Sequence, residues 1–576
     1  MSATRWVSAP LDPRLAAWRT LPMRRTVLVV VHTVASANRL ADVTPIFESD
    51  PRIQLVYTVP GSSVVSEGID QVLAEAGFLT IPWVQAITQR FDLALSANHS
   101  GDLHRLDAPV VLLSHGIGYT KYSPRTENRE PRTENREPRT ENREPARAIY
   151  GMSRRWLVRD GTVFAAAFVL SHPDQLRPLT AAVPEAADVA VVAGDPCLDR
   201  IRASRSRRDA YRRALGAGPH TTLVTLSSTW GPDSLLGAWP ELPRALLAEL
   251  DADRYRLVLV AHPHVWWTHG PAQLRMMLAD AVRAGLTLVP PVAGWQQALL
   301  AADIVVGDHG AVTGYAAAAG IPTVLGAFGS DDVVPDTAIA ALGATAARLD
   351  PGRPLPGQLT DALARYRPDT FTEVAARADA VPGEAAHRLR QLCYRLLDLA
   401  EPATPVPVHP FPASDLPAPA VPGAFLVTGS VSGTTVRVVR RAADVAFGPA
   451  SRADPDGFLL VPEDHPVRVL RDSAAVRYRT TDPTDAVPAE WLAAVTAPPS
   501  ACRVAAAIDR PGTCVVHSGG SYFRLRATDP GTPGEVLAAA VELLRRARPD
   551  APVPHRLRLD LAGRTVPVTI APVDLA

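Results

Sequence analysis

Continuous apolar runs, rather than alternating ones, set the pattern of the chain from Thr26 to Gly326. TVLVVV (26–31), QLVYTV (54–59), LALS (93–96), PVVLLSHG (109–116) and VAVVAG (189–194) form a first set. TTLVTL (221–226), YRLVLVAH (255–262), LTLV (286–289), DIVVGD (303–308) and PTVLG (322–326) form a second. Runs of this length suit parallel strands buried on both faces. The segments between them, such as Asp233–Leu250 and Pro271–Ala284, are long enough for crossover helices. Two successive sets predict two doubly wound α/β domains, with functional loops at the carboxyl ends of the strands. The boundaries fall at 1–196 and 197–400, and a last helix over Glu384–Leu399 is expected to return to the first domain.

The pattern then changes. Residues 401–423 are a dense proline cluster, which predicts a semi-rigid extended linker. Beyond it, 424–576 shows short strands with turn punctuation and one helix over roughly Pro533–Arg546, with Thr532 as its expected N-cap. That is a small β-rich α+β domain with no catalytic spacing. A third feature is RTENREP, repeated three times without a difference over 125–145. Its seven-residue period has no apolar position, and each unit carries a proline, which costs a helix interior about 3 kcal/mol. A disordered or extended surface loop is expected there, arising by tandem duplication.

Composition narrows the function. With 59 basic and 59 acidic residues the formal net charge is zero, so no global field draws nucleic acid or an anionic membrane. Four scattered cysteines without a CxxC pair argue against a disulfide scaffold or a zinc site and fit a reducing, cytoplasmic compartment. The apolar runs are strand-length, far short of a membrane span. Arg24-Arg25 leaves room for weak peripheral membrane association at most.

Four loops after predicted strands carry candidate chemistry. In Ser114–Lys121, Gly116 and Gly118 let backbone N–H groups approach phosphate oxygens, Lys121 adds a point charge, and His115 is a candidate proton carrier. In Ser227–Gly231, the hydroxyls of Ser228 and Thr229 either cap a helix or touch a phosphate. His262 and His264 follow the strand YRLVLV, without the further ligands a metal site would need. In Asp308-His309-Gly310-Ala311-Val312-Thr313, a strand ends in an acid and starts an Ala-rich helix whose free N–H groups suit an anion. Each loop also has a plain structural reading, as a strand-end turn with a hydrogen-bonded histidine or a capped helix.

In this order, HGIGYTK, the GDPCLD turn (194–199), SSTWG, AHPH and ADIVVGDHGAVTGYAAAAGIPTVLG resemble the CDP-glycerol:polyol glycerophosphotransferases of teichoic-acid synthesis, over roughly residues 25–400. The resemblance implies a GT-B architecture and a CDP-linked polyol phosphate donor. It implies catalytic roles for His115 and His262, and a donor-diphosphate loop at Asp308 and the helix start after it. The family's usual Asp-Tyr-Ser-Ser is Asp308-His309-Gly310-Ala311 here, with Thr313 as the remaining hydroxyl. That departure keeps two alternatives open: a UDP-sugar glycosyltransferase or 2-epimerase, and a non-catalytic member that binds a nucleotide or a partner. No protein-held metal is expected. Mg²⁺ would enter with the donor diphosphate, and the hydroxyl acceptor is not identified by the sequence.

Overall fold

The computed structural model describes residues 6–7, 11, 20–62, 68–123, 147–446 and 456–575. The RTENREP repeat at 125–145 lies outside the described residues. The first sheet is built from β1 (Arg25–Val30), β2 (Ile53–Val59), β3 (Thr80–Pro82), β4 (Leu93–Ser96) and β5 (Val110–Leu112). A short ribbon, β6 (Val158–Arg159) and β7 (Thr162–Val163), precedes β8 (Ala165–Leu170) and β9 (Ala190–Val192). The sheet order is β3-β2-β1-β4-β5-β8-β9, with every neighbouring pair parallel. The strand order reverses between β1 and β4, which opens a crevice at their carboxyl ends.

The second sheet holds β10 (Thr222–Ser228), β11 (Tyr255–Ala261), β12 (Leu286–Leu288), β13 (Ile304–Gly307) and β14 (Thr323–Leu325), in the order β12-β11-β10-β13-β14, again parallel. Val27–Val31 and Ile304–Val306 are fully buried, as strands covered on both faces must be. The expected crossover helix over Asp233–Leu250 is broken into Leu235–Ala238 and Leu242–Glu249, with Pro240 between them. The two parallel domains fit Rossmann-like domains of the GT-B type.

The helix Ala385–Leu396 packs on the first sheet through Leu389, Leu392, Cys393 and Tyr394. The Tyr394 hydroxyl donates to Asp50 at 2.8 Å, and Arg25 Nε donates to the Leu397 carbonyl at 2.7 Å. The proline-rich stretch is strapped down along both domains. Phe411 is buried beneath the Arg200 guanidinium, and its carbonyl accepts from the Tyr211 hydroxyl at 2.7 Å.

The C-terminal region corrects the expectation of a small α+β domain. Nine strands form a closed barrel: β15 (Phe425–Ser432), β16 (Thr435–Ala442), β17 (Phe458–Pro462), β18 (Val476–Thr480), β19 (Val504–Arg510), β20 (Thr513–Ser518), β21 (Ser521–Ala527), β22 (Arg556–Leu561) and β23 (Arg564–Pro572). The helix Gly534–Ala547 packs against β15, β16, β18, β19 and β20 and is buried continuously from Val536 to Leu544. Short strands and one helix look the same in sequence whether the sheet stays open or closes, because closure depends on the pairing of β15 with β17. Thr532 does not cap that helix. Pro533 holds the N-cap position, and the buried Thr532 hydroxyl has no partner. Among the described residues, no helix is long and apolar enough to cross a membrane.

Candidate functional site

All four candidate loops meet at the facing carboxyl ends of the two sheets. The loop after β5 crosses to the second domain and is pinned there. Lys121 bridges Val333 in antiparallel fashion, Tyr122 N donates to the Asp332 carbonyl at 3.0 Å, and Val334 N donates to the Thr120 carbonyl at 2.9 Å. Arg147 closes the same seam through the Asp331 carbonyl and the Asp332 carboxylate, each at 2.8 Å. Lys121 Nζ thereby reaches the Thr229 hydroxyl at 3.3 Å. Burial pushes the Lys121 ammonium down from its usual range, opposed by Asp308 and Asp332. A cation held this way gains most from an anion that enters beside it.

The Asp308 carboxylate does not face the cleft. It is fully buried and accepts from the backbone N–H groups of Thr229, Leu235 and Gly310, each at 2.8 Å. Burial pushes its carboxyl up, against these three donors. The Thr313 hydroxyl is likewise committed internally. It accepts from Asp308 N at 3.2 Å and donates to the Ser227 hydroxyl at 3.1 Å. The buried Ser228 hydroxyl donates to the Thr229 carbonyl and accepts from Leu236 N in the first turn of a helix whose N-cap is Ser234, so it too is committed internally. The phosphate-contacting side chains implied at Asp308, Thr313 and Ser228 are therefore scaffold. Asp308 fixes its own loop to both ends of the connection after β10, and the chemistry left to the helix Ala311–Ala318 is its backbone. That helix has no side-chain cap, so the first-turn N–H groups of Ala311, Val312 and Thr313 retain donor capacity.

Gly116 lies against this helix start, where a Cβ added to it would stand 3.5 Å from the Ala311 Cβ. Gly118 turns the other way. Its φ is +72°, and a Cβ would run into the Gln175 side chain, so it serves the turn of the loop and not the cleft.

The histidines form the rest of the site. Burial, then the Arg39 charge, lowers His115 to about 4. The Ala97 backbone acts against this shift. His262 Nδ1 accepts from His264 N at 3.1 Å, so the neutral ring carries its proton on Nε2. Burial, then His264, pushes His262 well down. His264 stacks against the part-exposed Trp230, with ring centroids 5.0 Å apart and planes 20° apart. His309 accepts from Gly329 N at 3.1 Å and is lowered to about 4 by burial.

Sequence reasoning missed two groups. Arg39 is buried at the seam, where it donates to Asp195 Oδ1 at 2.8 Å and to the Gly116 carbonyl at 2.7 Å, and also to the Tyr315 hydroxyl. Tyr315 in turn donates to Asp195 Oδ2 at 2.8 Å. This hub joins the first domain, the GDPCLD turn and the helix after Asp308. The only signal for it was Asp195 inside that turn. The second group is His32 and His99, at the ends of β1 and β4, on the two sides of the strand-order reversal. His99 has neither ring nitrogen bonded, His32 Nδ1 has no partner, and the nearby Tyr119 hydroxyl is also unpaired. Burial lowers His32 to about 4 and His99 to about 3.

Among the described residues, no three His, Cys, Asp or Glu side chains gather as a metal site. The fold and cleft define a pair of Rossmann-like domains closed on an imidazole-lined, lysine-bearing seam. No family model and no curated protein matches the chain. Among solved structures, it is similar to the wall teichoic acid polymerase TagF at 12% identity, over 65% of this chain and 89% of that one, with a TM-score of 0.44. It is also similar to HepE of Anabaena in complex with UDP and glucose, at 13% identity over 65% and 100% of the chains, with a TM-score of 0.38. A glycosyltransferase from Rickettsia africae gives 10% identity over 66% and 100%, with a TM-score of 0.36. Likenesses at this level describe an outline, and the functional reading rests on the site itself.

Proposed function

We propose that the chain is a transferase that binds a nucleotide-diphosphate-linked donor in this cleft, of the CDP-polyol phosphotransferase type. The observation that carries the reading is Lys121. A buried lysine from one domain is delivered onto Thr229 of the other, beside an uncapped helix start. Without an anion that lysine is poorly placed, and with a diphosphate it is neutralised together with the free N–H groups of 311–313.

The two histidines divide the chemistry. His115 takes the proton of an acceptor hydroxyl as its oxygen attacks the transferred phosphorus. His262 presents Nε2–H to the oxygen of the departing nucleoside monophosphate as the P–O bond of the diphosphate breaks. A base lowered to about 4 is weak. The anionic donor raises it in the complex, because a nearby negative charge favours imidazolium. Positioning and charge neutralisation supply most of the rate. Mg²⁺, where the reaction uses it, would be held by the donor phosphates.

The direct test is release of CMP from CDP-glycerol in the presence of polyol acceptors. His115→Ala and His262→Ala should each lose turnover while keeping the wild-type melting curve. Unchanged turnover in both variants would overturn the assignment, and consumption of UDP-sugars alone would move the chain to the glycosyltransferase or epimerase reading.

A further inference from the structure

The closed barrel carries a cationic face that the cleft does not use. On β22, Leu557, Leu559 and Leu561 point inward, so Arg556 and Arg558 point out and are exposed. On β21, Leu525 and Ala527 point inward and Arg526 out; on β16, Val436 and Val438 point inward and Arg437 out. The register places these side chains together. Arg556 and Arg526 both lie opposite Thr569 of β23, one from each side, and Arg558 lies opposite Thr435, two residues before Arg437.

None of the four guanidinium groups has a hydrogen bond or an ion pair among the described residues, although 59 acidic residues balance the 59 basic ones in the whole chain. The nearest acid on this face is the part-buried Asp560, opposite Arg437. Four guanidinium groups against the one carboxylate of Asp560 leave this patch net positive on a neutral protein. Strand geometry spaces outward side chains about 7 Å apart along a strand, and about 10 Å apart across two strand intervals.

We propose that this outer face of β16, β22, β23 and β21 is a docking surface for a linear polymer with a repeating phosphate backbone and no nucleobases. Guanidinium groups match phosphate oxygens in paired geometry, and several in fixed rows favour a chain of charges over a single ion. Bases would need an aromatic platform to stack on. Tyr522, on the outward side of β21, is occupied, with its hydroxyl on the Ala489 carbonyl at 3.2 Å and its ring against His517. A bilayer would be expected to meet an apolar wedge, and the outward neighbours here are Thr565, Pro567, Thr569 and Ala571.

The inference is independent of the cleft. It is tested on the full chain with long-chain inorganic polyphosphate as the probe, over a series of salt concentrations. Wild type should bind, with affinity falling steeply as salt rises, because each neutralised phosphate releases a counterion. The triple variant Arg526→Ser, Arg556→Ser, Arg558→Ser should bind at least about tenfold more weakly at low salt, with a shallower salt dependence and an unchanged melting temperature. Arg468→Ser, on a separate exposed helix, should bind as wild type. Equal binding by the triple variant would overturn the proposal. So would oligo(dT) binding as tightly as polyphosphate, or phosphatidylglycerol vesicles binding where polyphosphate does not.

Discussion

The two walls of the cleft solve the same problem in opposite ways. In the second domain the polar side chains at the strand ends have partners inside the protein: Asp308 holds three N–H groups, Thr313 bonds Ser227, and Ser228 accepts from Leu236 N. What that wall offers a ligand is rigid backbone. In the first domain, His99, His32 and Tyr119 leave buried polar atoms unpaired behind His115. A satisfied wall is preorganised before a ligand arrives, and an unsatisfied wall gives up stability until one does. The difference predicts that the second domain fixes the donor and the first responds to the substrate.

Substitutions can break this contrast at several points. The largest expected effect is on turnover. His115→Ala should lower it by about 10² to 10⁴, the usual contribution of a positioned acid or base, measured as nucleotide release. Next is Arg39→Ala, which strands the buried Asp195 carboxylate. Breaking such a pair costs about 3–5 kcal/mol, and the melting temperature should fall accordingly. Asp308→Ala removes the acceptor of three backbone N–H groups, at about 1 kcal/mol or more each, so it should destabilise the free protein as well as weaken donor binding.

Acid should act on the imidazole-rich seam. His32, His99, His115 and His309 are neutral in the fold, with values near 4 or 3 against an ordinary value of 6.5. The unfolded chain therefore binds more protons below pH 6.5. Stability is full above that pH and falls as pH drops toward 4, at about 1.4 kcal/mol per unit of depression for each group. A melting temperature that stays level from pH 7 to 4.5 would contradict the buried, neutral histidines. The smallest effect sharpens the contrast most. His99→Phe replaces an unpaired imidazole by an apolar ring beside Tyr119 and Phe168, so it should change stability by less than about 1 kcal/mol while reducing turnover. The same type of exchange at Asp308 should not be tolerated.

The sequence exposed the parallel strands and the loops after them, because strands buried on both faces leave uninterrupted apolar runs and chemistry collects at their ends. It also brought His115, Lys121, Thr229 and His262 into one list, and the fold places them along one seam. The use of each side chain was hidden. Asp308 and Thr313 have the composition of a ligand loop, yet their atoms face inward, a matter of rotamer and backbone direction. Arg39 sits in an ordinary amphipathic helix, and its partners Asp195 and Tyr315 lie 156 and 276 residues away. His32 and His99 follow strands as unremarked residues, and their lack of partners is visible only in three dimensions. The barrel was illegible as a barrel because closure is a long-range pairing.

The central claim is that the seam around Lys121 binds a nucleotide diphosphate. It is tested most directly by the melting temperature of the wild-type chain and of Lys121→Ala against CDP, CDP-glycerol, UDP, UDP-sugars, GDP and ADP. A ligand that binds only the folded state adds about 2.7 kcal/mol at a hundredfold excess over Kd. The account predicts a clear rise for wild type, largest with CDP-glycerol and absent in Lys121→Ala. No rise with any nucleotide at millimolar concentration, or an equal rise in the variant, would contradict it.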